Sequence, residues 1–256
     1  MLQARLTLEA GQASLIRIAE QVGYNSEAAF SVQTPFRAFT RRIPEAATST
    51  HGWGGGGMAK IKLRALLAEI RACQVCAAHL PHPPNPILRA RADARLLLIG
   101  QAPGRRVHET GVPWNDTSGD TLRDWLQLTP EQFYDDRLVA IVPSGFCYPG
   151  AGRTGDLPPR PECAPLWHPP LLASLPNIKL TLLIGSYAQA CYLKERNKAT
   201  LTETVANGAE YLPRFLPLPH PSPRNRLWLR RNPWFAAEVL PALRAHVTKA
   251  LFTFEA

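Results

Sequence analysis

Two rhythms of apolar residues run along the chain. Between residues 60 and 77 they recur at helical spacing, with Leu63, Leu66, Leu67, Ile70 and Cys73 on one stripe, which predicts an amphipathic helix. Further on they form short unbroken runs: ARLLLIG at 94–100, LVAIVP at 138–143, IKLTLLIG at 178–185 and FLPL at 215–218. Continuous rather than alternating apolarity predicts parallel strands covered on both faces. Helical patterns fall between the runs at 118–127, 169–175 and 186–194, and a last helix is predicted over 233–252. This alternation of strand and helix predicts a three-layer α/β/α domain, with its ligand site at the carboxyl ends of the strands.

The first 58 residues follow a different pattern. Residues 1–47 read as a short helical extension, 48–58 as a glycine-rich linker, and 59–256 as the α/β domain, with Met58 resembling a start of translation. Within the extension, residues 16–31 (IRIAEQVGYNSEAAFS) resemble a fragment of the AraC-type helix-turn-helix. Pro35 falls where that family's recognition helix continues, so the segment reads as a remnant.

Composition narrows the class of function. Hydrophobic residues make up 45% and charged residues 19%, and no apolar run reaches the roughly 18 residues of a membrane span. The N-terminus lacks the pattern of a secretory signal. The expectation is a cytoplasmic monomer without a membrane partner, its cysteines reduced unless they hold a metal. A net charge of +9 favours an anionic partner such as nucleic acid. Arg224, Arg226, Arg230 and Arg231 crowd one segment with Trp228 and Trp234 between them, a mixture suited to contact with a nucleic-acid backbone and bases.

The first predicted strand ends in Gly100-Gln101-Ala102-Pro103-Gly104, where small residues and a rigid proline let the backbone approach a ligand closely. Pro113, Trp114, Asn115 and Asp116 follow soon after. The last strand ends in His220-Pro221-Ser222-Pro223-Arg224-Asn225. Both strand ends can line one crevice of a parallel sheet. The loops at 150–161 and 219–225 are rich in proline and glycine, and such loops in a compact domain are usually functional.

Gly100 to Gly104, Thr110-Gly111-Val112-Pro113-Trp114 and His220-Pro221-Ser222, in that order, resemble the uracil-DNA glycosylase superfamily and, within it, the iron–sulfur (family 4) branch. The resemblance covers about residues 63–245. It implies a central four-stranded parallel sheet and hydrolysis of the N-glycosidic bond of uracil flipped out of DNA. Cys73 and Cys76 precede the first strand, while fifteen residues separate Cys147 from Cys163. The iron–sulfur branch places its cluster ligands in this order with similar spacing, which implies a [4Fe–4S] cluster on these four thiolates. Zinc accepts the same ligands and is the alternative.

By the same resemblance Trp114 stands where the family has a stacking phenylalanine, and His220 donates to uracil O2 as negative charge develops on the leaving base. Gly100, Ala102, Pro103, Gly104, Asn115, Ser144 and Ser222 line the base pocket, with backbone amides near Gln101 and Ala102 holding the water or the pyrimidine edge. Arg224, Asn225, Arg226 and Leu227 press on the DNA, with Arg224 or Leu227 as the wedge that replaces the extruded base.

Two departures stand out. The family has an acid in the first motif, and here Gln101 takes that place, unable to accept a proton. Asp116 is the first candidate for holding the water, with His108 and Glu109 behind it, although Asp116 equally suits the cap of the helix near Ser118. Pro143 also replaces the asparagine that reads the uracil edge, so related deaminated bases such as xanthine are expected substrates too. The alternative function is a protein that binds uracil-DNA without turnover, or traps it covalently through His108.

Overall fold

A computed structural model of the chain describes residues 55–153 and 155–252. The helix-turn-helix-like segment and most of the expected linker lie outside these residues. The first helix, α1 (Gly55–Arg71), begins inside the expected linker. It ends well before residue 77, and Cys73 and Cys76 lie in the irregular stretch beyond it. Next come β1 (Leu96–Ile99), α2 (Arg105–Thr110), α3 (Thr117–Leu126), α4 (Pro130–Tyr134), β2 (Val139–Ile141) and α5 (Cys163–Ala173). The chain then forms β3 (Leu180–Ile184), α6 (Ser186–Leu193), α7 (Leu201–Ala206), β4 (Phe215–Leu218), α8 (Arg226–Arg231) and α9 (Leu240–Phe252). No described helix is long and apolar enough to cross a membrane.

The four predicted strands form one sheet in the order β2-β1-β3-β4. Every pairing is parallel, with Leu96 opposite both Val139 and Leu180, and Thr181 opposite Phe215. Successive side chains leave a strand on opposite faces, and the core divides accordingly. Leu96, Leu98, Leu182 and Ile184 pack with Leu122 and Trp125 of α3 and Leu243 and Val247 of α9. Leu97, Ile99, Leu183 and Ala140 pack with Leu63, Leu67 and Ile70 of α1, Leu171 of α5 and Ala188 of α6. Each buried leucine contributes roughly 1.5–3 kcal/mol, and neither face is left bare. β4 carries Pro217 opposite Leu183, tolerated because β4 is an edge strand.

Two predicted helices have other bounds. α5 starts at Cys163 and contains Pro169 and Pro170, which in sequence look like a helix start. The last helix opens with a wide π turn at Phe235–Val239 before α9, seated by Phe235 against Trp125, Trp228 and Trp234.

Since β1 lies between β2 and β3, the chain leaves it in opposite directions. That reversal opens a crevice at the carboxyl ends of β1 and β3.

Candidate functional site

Three glycines shape the crevice. A Cβ at Gly100 would stand 2.9 Å from Trp114 Cζ2, so only a glycine lets the indole lie against the end of β1. Gly185 ends β3 at φ +84° and faces the Cβ of His220. Gly119, in the first turn of α3, would place a Cβ 1.7 Å from the Trp114 carbonyl oxygen. Trp114 itself has φ +57°, a costly conformation for a bulky residue. It is held by Gly119 from below and by Arg123, whose Nη1 donates to the Trp114 carbonyl at 3.3 Å.

The result is a ring pair. Trp114 and His220 have centroids 5.5 Å apart and planes tilted by 33°. Nδ1 of His220 accepts from the Ser222 backbone N–H at 3.2 Å, which puts the neutral ring's proton on Nε2. Burial pushes His220 down to about 4, against the opposing pull of Asp116. The ring is therefore a neutral N–H donor at physiological pH. Asn225 Nδ2 donates to the His220 carbonyl at 2.7 Å, and the Ser222 hydroxyl accepts from Arg224 N–H. These bonds fix the loop that follows β4.

Asp116 caps α3: its Oδ1 accepts from Gly119 N–H at 2.8 Å. The capping alternative is thus realised for one oxygen, while its charge still acts on His220. Gln101 turns its amide to the 150–161 loop, donating from Nε2 to the Leu157 carbonyl at 3.3 Å. Asp156, in that loop, brings Oδ2 within 3.3 Å of where a Cβ on Gly104 would stand. Nothing in the sequence singled out Asp156 within a loop that looked functional only by composition. His108 goes elsewhere. Its ring stacks on His82 at 5.1 Å and lies near Tyr148, and its Nδ1 is buried without a hydrogen-bond partner among the described residues.

Ser144 is buried, and its hydroxyl donates to the Gly100 carbonyl at 2.8 Å. The Pro143 carbonyl contacts His168 Nε2 at 3.0 Å, and His168 Nδ1 contacts the Tyr192 hydroxyl. Burial holds His168 down at about 4. The neutral ring then donates from Nε2 to Pro143 and accepts from Tyr192. Sequence reasoning missed this buried chain, whose partners lie 24 and 25 residues apart. The Ser144 hydroxyl and the Pro143 carbonyl are therefore both engaged within the protein.

Trp228 and Trp234 face inward. Their indole N–H groups donate to Thr202 Oγ1 and Asn232 Oδ1, and both rings pack edge-on against Phe235. The expected interleaving of arginine and aromatic side chains on the surface therefore reduces to the arginines. Arg224 and Arg226 are exposed, and Leu227 keeps 48% of its surface open.

Away from the ring pair, Cys73, Cys76, Cys147 and Cys163 line one cleft with Pro84, Pro86, Phe146 and Trp167. The Phe146 N–H donates to Cys163 Sγ at 3.3 Å. Burial raises Cys147 to about 11 and Cys163 to about 12, and the neighbouring thiols add to both shifts. Four thiolates here would need a compensating cation. Among the described residues, no three Cys, His, Asp or Glu side chains close round a single ion. Four sulfur donors on one cleft suit a metal centre with thiolate ligands.

The model of the family described as Uracil DNA glycosylase superfamily matches residues 89–244. A protein named Type-4 uracil-DNA glycosylase, from Thermotoga maritima, is 24% identical over 157 residues, spanning 60% of this chain and 78% of that protein.

Proposed function

The chain belongs to the uracil-DNA glycosylase superfamily, and from that premise we propose that it removes uracil from DNA by hydrolysing the N-glycosidic bond, leaving an abasic site. The observation that carries the reading is the Trp114–His220 pair over Gly100 and Gly185. A flipped base stacks on Trp114, and the Nε2–H of His220 meets O2 of the ring. As the bond breaks, negative charge grows on that oxygen, so the donor binds the transition state more strongly than the ground state. A neutral imidazole does this without first giving up a proton.

Gly100, Ala102, Pro103 and Gly104 form the backbone floor of the pocket, with Asn115 and Ser222 at its edges. The buried Ser144 braces that floor through Gly100. The Asp116 carboxylate, set by its capping bond, lends negative charge to the crevice in which the sugar becomes cationic. Arg224, Asn225, Arg226 and Leu227 reach the DNA around the gap left by the base. Cys73, Cys76, Cys147 and Cys163 hold a [4Fe–4S] cluster, which braces the turn after α1 against the start of α5 when bound. The protein acts as a monomer.

The test is incubation with a duplex oligonucleotide carrying one uracil, followed by alkali. A strand cut at the uracil supports the reading. An intact strand overturns it, and a gel shift on that strand then identifies a binder, a denaturation-resistant shift a covalent trap.

A further inference from the structure

Hydrolysis needs a water held against the sugar carbon, and the neutral amide of Gln101 cannot take its proton. We propose that Asp156, delivered from the 150–161 loop, is the carboxylate that holds and deprotonates this water. The inference rests on the glycosylase reading above and assigns a catalytic role within it.

Three observations carry the placement. Asp156 Oδ2 lies beside Gly104, the residue that caps α2 at the end of β1. Its loop is tied to the first motif by the Gln101 Nε2 bond to the Leu157 carbonyl. The loop is also closed on itself, through the Ala151–Asp156 bridge and the Leu157 N–H to the Gly150 carbonyl at 2.8 Å. Gln101 thus becomes the positioning residue for an acid supplied by another segment. Asp116, the other carboxylate at the crevice, has one oxygen committed to the cap of α3.

The surroundings agree. Burial raises the Asp156 carboxyl above its ordinary value, the Asp116 charge adds to this, and Arg224 and Arg105 oppose it. A base with a raised pKa is stronger. In the reaction the C1′–N1 bond breaks with its electron pair going to uracil, which His220 stabilises at O2. The water oxygen bonds to C1′, and its proton passes to Asp156 and then through solvent to the uracil anion. Atoms and charge balance without a co-reactant.

The experiment measures single-turnover excision between pH 5 and 9 for the wild type, Asp156→Asn and Asp116→Asn, together with affinity for the uracil duplex. The wild-type rate should rise with pH through an ionisation above the usual carboxylate range. Asp156→Asn should lose on the order of 10²-fold or more and abolish that limb, while holding DNA within about threefold of the wild-type affinity (a factor of ten being 1.4 kcal/mol). Asp116→Asn should keep the limb. An Asp156→Asn rate near wild type overturns the proposal, as does a slow variant that retains the acid limb. Should the variant fail to fold, Asp156→Ser takes its place, and excision near the wild-type rate again overturns the proposal. A wild type that leaves uracil in place sinks the glycosylase reading itself, and the role of Asp156 with it.

Discussion

His168 shows how one buried residue engages a strand-end carbonyl and leaves a mark on stability. It is 4% exposed, donates to Pro143 and accepts from Tyr192. Its folded pKa of about 4 lies below the unfolded value of about 6.5. As pH falls, the unfolded chain takes up the proton first. The stabilisation is therefore complete above pH 6.5 and lost progressively towards pH 4, where the loss reaches about 3 kcal/mol. Thermal unfolding should show it: between pH 7 and 4 the wild type should lose roughly 6–12 °C more than His168→Gln, at roughly 2–4 °C per kcal/mol. An equal acid loss in both proteins would refute the assignment. The residue was illegible in sequence, since nothing marks His168 as a partner of Pro143 until α5 folds back on the end of β2. Pro143 itself was legible as a departure, but not that its carbonyl was already engaged.

The start of α3 shows the same coupling between neighbours in an element. Asp116 caps the helix, Gly119 N–H donates the cap bond, and the Trp114 carbonyl rests where a Gly119 side chain would stand. One turn thereby fixes both a helix and a left-handed tryptophan. In Gly119→Ala the new methyl collides with backbone rather than with a flexible side-chain tip, so the turn or the helix must shift. Overpacking of this kind costs roughly 1–3 kcal/mol, and the displacement should reach the Trp114 ring over Gly100. Excision should then fall more steeply than stability does; a variant with unchanged excision and unfolding temperature would show that the turn adapts. At this scale the strands were fully legible, because unbroken apolar runs covered on both faces leave little alternative. The helices were less so. α2, α7 and α8 span six residues each, too few for a periodic stripe, and paired prolines hid the first half of α5.

Across the whole molecule the meeting of Trp114 and His220 beside Gly100 follows from what the sequence showed, because the first and last motifs each end a strand and the sheet brings strand ends together. The sequence missed what depends on loop paths: Asp156 arriving at Gly104, the Gln101 amide turning away to Leu157, and two tryptophans folding inward while the arginines beside them stay exposed. That last arrangement separates charge from wedge. Arg226 and Leu227 are adjacent and both exposed, at the start of α8, but they act on DNA through different physics. An arginine on a phosphate releases counterions, and its contribution appears as roughly one unit in the slope of log affinity against log salt. An apolar side chain pressed into the gap left by an extruded base displaces no ions and instead lowers the cost of keeping the base out. Arg226→Gln should therefore weaken uracil-duplex binding and make the salt slope shallower by about one. Leu227→Ala should keep the wild-type slope and slow excision more in duplex than in single-stranded DNA, where no partner base opposes extrusion. If Leu227→Ala slows both substrates equally, the side chain supports the protein rather than the flipped state, and the wedge must be Arg224.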